Sequence, residues 1–145
     1  THNLADKHET HVATALRVIA ALRMLKPEER PEKVYGCEAW RNLDWLNDEE
    51  KVLMDCGPHP NLSRAITGVF DSQIAGGKRY DLAAEGRRQA NATFLASHAC
   101  DAYTALNYAM DLTPLMDEKT DIVSYISGHI ERFRQSVEDM LAQLS

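Results

Sequence analysis

Thr1-His2-Asn3-Leu4-Ala5-Asp6-Lys7-His8-Glu9-Thr10-His11-Val12-Ala13-Thr14-Ala15 decides how the rest of the chain is read. Three of the six histidines fall in its first eleven residues, beside Asp6 and Glu9. His8 and His11 stand three apart where an apolar helical pattern begins. A helix started there sets both imidazoles on one side of its first turn. Imidazole is a good zinc ligand, and a catalytic zinc usually takes three protein ligands and a water. Two histidines at i, i+3 can supply one ligand and one acid/base or oxyanion group without rearranging the backbone. The same spacing also fits a plain polar helix start, capped by Asp6 or Thr10, with both histidines solvated.

Working outward, Val12, Ala15, Leu16, Ile19, Ala20 and Leu22 keep to helical spacing and predict a helix over 10–25, stopped by Pro27. A charged surface loop over 27–31 follows. Strands are expected over 34–40 and 51–56, the second ended by Gly57-Pro58-His59-Pro60. The polar stretch 42–50 reads as turn. Helices are expected from Pro60 or Asn61 to Gln73, from Asp81 to Ser97, and from Asp101 to Met110. Between the first two lies the Ala75-Gly76-Gly77-Lys78-Arg79 loop. A last helix is expected over about 120–144. Its stripe of Ile122, Ile126, Ile130, Phe133, Val137, Met140 and Leu144 suits packing on a body and leaves a homo-oligomer open. The pattern is α/β, mostly helical with two or so short strands, and two strands are too few for an independent sheet. The chain 1–145 therefore reads as a single partial domain that needs further strands from an N-terminal segment.

Composition narrows the function. The net charge of −6, with both signs interspersed, gives nucleic acid and anionic lipid no long-range attraction. No stretch approaches the roughly 20 apolar residues that span a bilayer, and no signal-peptide pattern is present. Cys37, Cys56 and Cys100 are odd in number and far apart, which fits a reducing, cytoplasmic setting and not a disulfide scaffold. The triplets Asn61-Leu62-Ser63 and Asn91-Ala92-Thr93 fall in expected helices and read as chance matches to a glycosylation signal.

His8-Glu9-Thr10-His11-Val12-Ala13-Thr14-Ala15 resembles the second conserved motif of the PIG-L (LmbE-like) N-deacetylases, H-x-x-H followed directly by an alanine-rich helix. Val52-Leu53-Met54-Asp55, the turn after it and the helix closing on Ser72-Gln73 resemble that family's downstream pattern. Gly86-Arg87-Arg88-Gln89-Ala90-Asn91-Ala92-Thr93-Phe94 resembles its later helix. The likeness runs from His8 to about Ala96, whereas 100–145 matches no motif. It implies the C-terminal portion of a Rossmann-like fold and one zinc ion. It also implies hydrolysis of an N-acetyl group on a small-molecule amino sugar of the glucosamine type. In the family the metal is held by the second histidine of H-x-x-H and by a histidine and an aspartate of an N-terminal H-P-D-D motif. That role falls here on His11. His8 then faces the substrate, stabilising the oxyanion or protonating the leaving amine. The family's general base is an aspartate of H-P-D-D, a motif that does not occur in this chain, so the chain by itself is expected to be inactive. Glu9-Thr10 departs from the common Pro-Asp. In an alternative frame His8 is the ligand, after Asp6-Lys7; the helix that follows His11 directly favours His11.

Other residues carry plainer readings. Lys78 and Arg79 read as a solvated loop tip, or as a reach toward an anionic substrate group. Ser72 and Gln73 are either near the site or capping. His59 reads as a turn residue and His129 as a core-edge packing residue. Trp40 and Trp45 read as packing under the connecting loop, with an aromatic wall for a sugar as the other reading. Cys37 and Cys56 read as small buried groups. The reading opposed to the enzyme is a non-catalytic helical interaction module, dimerising through its last helix, whose histidines are incidental.

Overall fold

The computed structural model describes residues 1–37 and 40–145. In chain order α1 is Glu9–Met24, β1 Tyr35–Cys37, β2 Lys51–Asp55, α2 Pro60–Gly68, α3 Asp71–Ile74, α4 Tyr80–Phe94, β3 Leu106–Asp111 and α5 Ile122–Leu144. Short 3-10 turns lie at Pro27–Glu29, Asp48–Glu50 and Thr113–Met116. The fold is mixed α/β and 54% helical, with one small three-stranded antiparallel sheet. Among the described residues no helix is long and apolar enough to cross a membrane.

The sheet has the order β1-β3-β2. β1 and β3 are antiparallel, with Tyr35 opposite Asp111, Gly36 opposite Met110 and Cys37 opposite Ala109. At the other pairing the Cys56 N–H donates to the Ala105 carbonyl at 2.9 Å, joining the end of β2 to the start of β3 in antiparallel sense. β3 corrects the helix expected over 101–110. Being central, it buries Leu106, Tyr108, Ala109 and Met110 on both faces, so its sequence lacks the alternation that marks a half-buried strand. The strand expected over 34–40 is Tyr35–Cys37, and its Glu38 and Ala39 lie outside the described residues. The single helix expected from Pro60 to Gln73 is two, broken at Val69 and Phe70.

The chain forms two compact units, one of Thr1–Val52 with Ala109–Ser145 and one of Leu53–Tyr108. In the first, α1 buries Ala15 and Ile19 and packs on the Thr113–Met116 turn, where Leu112 and Leu115 are fully enclosed. Arg23, in the last turn of α1, secures that contact. Its Nε donates to the Leu115 carbonyl at 2.8 Å, and its Nη2 to those of Asp117 at 3.1 Å and Thr120 at 2.8 Å. Arg30 adds bonds to the carbonyls of Arg23, Leu25 and Met116. The stretch 42–50 is more than turn, because Leu43 and Leu46 are fully buried. Leu43 reaches the core from a left-handed backbone, φ 56°, next to Asn42 at φ 62°. Such a conformation costs a bulky residue about 1–2 kcal/mol, which burial of a leucine, worth about 1.5–3 kcal/mol, offsets.

α5 starts on Asp121, whose carboxylate accepts from the Ser124 N–H at 2.8 Å. Its early turns carry the half-buried Ile122, Tyr125, Ile126, His129 and Phe133, whereas Val137, Met140, Leu141 and Leu144 are exposed. The apolar stripe is thus covered over only part of its length. His129 is not simply a packing residue. It stacks edge-on against Tyr125 and sits with Arg132 around one oxygen of Glu50, at 3.0 Å and 2.7 Å respectively. In the second unit Asn91 and Ala92 of α4 are buried. The Asn91 amide donates to the Leu106 carbonyl at 3.1 Å, and the Tyr108 hydroxyl donates to the Asn91 carbonyl at 2.8 Å. Asn91 is therefore a structural residue inside its N-x-T triplet.

Candidate metal centre

The histidine segment is positioned from β1. His2 forms a parallel bridge with Cys37, the Cys37 N–H donates to the Thr1 carbonyl at 2.9 Å, and the Asn3 N–H donates to the Cys37 carbonyl at 3.0 Å. Gly36 permits this approach. A Cβ there would lie 2.7 Å from Leu112 Cδ1, 2.9 Å from Asn3 Cα and 3.2 Å from the His2 carbonyl oxygen. Asn3 is fully buried, and its side-chain oxygen accepts from the Ala5 N–H at 2.8 Å, which turns the chain toward Asp6.

Asp6 then organises the start of α1. One carboxylate oxygen accepts from the His8 N–H at 2.7 Å, and the other meets His11 Nδ1 at 3.1 Å. His8 is the N-cap residue, in extended conformation and without a side-chain capping bond. Asp6 thus takes the backbone donor just outside the helix, a variant of the cap expected of it. The Asp6 side chain is fully enclosed. Burial pushes its pKa up, but the His8 N–H, the His11 hydrogen bond and the nearby His11 and His2 rings outweigh it, and the net shift is downward. An ionised Asp6 makes His11 Nδ1 the protonated nitrogen, so His11 Nε2 carries the lone pair.

His2, Asp6 and His11 each place one candidate ligand atom within 4.8 Å of the others. The rings of His2 and His11 are parallel, with centroids 4.0 Å apart and planes 2° apart. An imidazole lone pair lies in its ring plane, and a zinc ion sits about 2.0–2.1 Å from the nitrogen. Two stacked planes do not share such an ion, so His2 becomes a co-ligand of His11 only by rotating out of the stack. Asp6, with both oxygens engaged, is better suited to orienting His11 than to replacing it. The carboxylate–imidazole pair is the outer support usually found behind a metal-ligating histidine. The donor set therefore fits a metal at His11 Nε2, completed by ligands other than those stacked beside it.

His8 lies beside this pair, exposed, with its ring centroid 5.0 Å from that of His11 and 6.2 Å from that of Trp40. The structure brings His8 and His11 together, as their spacing predicts. Neither His2 as a neighbour of His11 nor Asp6 as its hydrogen-bond partner follows from the spacing of the segment. Asp6 meets the His11 ring five positions on, and His2 arrives through a bridge to a residue 35 positions away. Of the other candidates, Arg79 holds Asp81 through Nε at 2.9 Å and Nη2 at 2.6 Å, and Lys78 sits over the Tyr80 ring. His59 is the exposed N-cap of α2, as a turn residue should be. Cys37 and Cys56 are half-buried, and burial pushes the Cys37 thiol up. Comparison of the chain with protein-family models, curated proteins and solved structures finds no match.

Proposed function

We propose that this chain is the C-terminal part of a Rossmann-like, zinc-dependent N-deacetylase of the PIG-L type. Its substrate is an N-acetylated amino sugar of the glucosamine class. The observation that carries the reading is the hydrogen bond between the enclosed Asp6 carboxylate and His11 Nδ1, which fixes the tautomer a ligating histidine needs. His11 holds the metal, with the remaining ligands and the general base supplied by an H-P-D-D segment ahead of Thr1. When bound, zinc lowers the pKa of its water to about 7 and polarises the amide carbonyl. His8, exposed at the helix start, gives a proton to the departing amine nitrogen as the C–N bond breaks. Water supplies hydroxide to the acetyl carbon and its proton to the base, leaving acetate and a free amine. Trp40, whose ring lies beside that of His8, is the aromatic residue that would wall a sugar ring there.

The test measures zinc content and N-acetylglucosamine deacetylation on the chain joined to its upstream coding segment, next to His11→Ala. One zinc per chain, with both metal and activity lost in the variant, is the expected result. The 145-residue chain alone should bind zinc weakly and show no turnover. A second reading, a non-catalytic module that dimerises through α5, draws on the exposed Val137, Met140, Leu141 and Leu144. It requires no metal, so an extended protein free of zinc and indifferent to His11→Ala would replace the first reading with the second.

A further inference from the structure

A cleft of about 480 Å³ lies wholly within the Leu53–Tyr108 unit, between α2, α4 and the segment ahead of β3. Its size falls in the range of about 300–1,000 Å³ typical of small-molecule sites. Its charged lining is Arg64, Asp81, Glu85 and Arg88. Three of these are already matched: Arg64 pairs with Glu85, and Asp81 is held by Arg79. Arg88 differs. Its Nη1 donates to the Ser63 hydroxyl oxygen at 2.5 Å, and among the described residues no carboxylate forms an ion pair with it. The cleft therefore keeps one half-buried guanidinium whose charge is not balanced by an acidic side chain.

The neighbouring groups extend this donor set. Ser63 Oγ accepts from Arg88, so its own O–H is left to donate outward. Thr104 and Gln89 add a hydroxyl and an amide to the same lining. Thr67 does not add a donor, because its hydroxyl proton goes to the Ser63 carbonyl at 2.9 Å. Gly57 keeps the opposite wall close, since a Cβ there would strike the Thr104 hydroxyl. The donors come from three separate segments: α2, α4 and the run before β3. A planar carboxylate is satisfied by the guanidinium fork alone, whereas a tetrahedral oxyanion uses donors from several directions. The cleft is also far larger than one such ion, and Pro60, Ile74 and Ala105 give it apolar wall.

We infer that this cleft binds a small molecule carrying a phosphate monoester, with Arg88 and Ser63 on the phosphate and the apolar wall against its organic body. The site uses none of Asp6, His8 and His11, and its phosphate needs no metal, so it is tested independently of the deacetylase reading.

Calorimetric titration of the full chain with glucose 6-phosphate, inorganic phosphate and malate tests it. The sugar phosphate should bind saturably and more tightly than inorganic phosphate, and malate no better than chloride. Arg88→Gln should weaken the sugar phosphate at least about tenfold, in line with the loss of a charge-assisted hydrogen-bond pair. Arg88→Lys, which keeps the charge but loses the fork, should fall between the two and guards against a folding defect in the first variant. Wild-type affinity in a folded Arg88→Gln protein, malate binding as tight as that of the phosphates, equal affinity for the two phosphates, or no saturable binding would each overturn the assignment.

Discussion

Asp6 does two things with one carboxylate: it accepts the His8 backbone donor and orients the His11 ring. Asp6→Asn keeps an acceptor for one of these and presents an amide where the other needs a charge. Zinc affinity of the extended protein should then fall about 10–100-fold, the usual effect of losing the group behind a ligating histidine. Competition titration against a chelator measures it, and unchanged affinity would remove Asp6 from the site. His129 offers a second residue-scale test. Burial, with Arg132 opposing the pull of Glu50, holds its pKa below the ordinary histidine value. The folded protein thus prefers the neutral ring, and unfolding takes up a proton once the pH is low enough. Stability should decline as pH falls through about 6.5, the unfolded value, and level off below the folded one. Melting curves between pH 5 and 8 should show that decline in the wild type and a flatter profile in His129→Gln. At this scale much of the candidate site was legible: His8 and His11 fall together because helix geometry dictates it. In the sequence Asp6 signals only a cap, since its bond to His11 depends on the side chain turning back over the first turn.

Elements carried their signals unevenly. α1 and α5 were legible because each shows a long run at helical spacing, whose period survives whatever packs on it. β3 was not. Its Leu106 to Met110 run is apolar on both faces, and only the sheet order explains why. The break between α2 and α3 was also hidden, as Val69 and Phe70 continue the apolar pattern into residues that the structure leaves exposed. β1 shows how a short element governs a distant one. Gly36→Ala places a methyl group against the Asn3 backbone and Leu112. The bridge of His2 to Cys37 must then shift, costing about 1–3 kcal/mol as overpacking usually does. Urea unfolding should show that loss, and zinc affinity should fall as well although no ligand has changed. A variant as stable as the wild type would mean that the N-terminal segment yields freely.

For the molecule as a whole, stability is concentrated where Leu43, Leu46, Met110, Leu112 and Leu115 are enclosed, and is sparse at the C-terminal end of α5. Leu112→Ala should cost about 2–5 kcal/mol through lost burial and the cavity left behind. Removing Leu141–Ser145, all exposed, should change unfolding free energy by less than about 0.5 kcal/mol. Equal losses in the two denaturation experiments would mean that the end of α5 is covered in solution. The nesting of the two units also bears on biosynthesis. The histidine segment and β1 are made before Ala109–Asp111, against which β1 pairs, and the whole of Leu53–Tyr108 is made in between. At about 5–20 residues per second that is a delay on the order of 3–10 s. Throughout it, the first 52 residues wait for the strand that completes their sheet, and the nascent chain must be kept from pairing elsewhere.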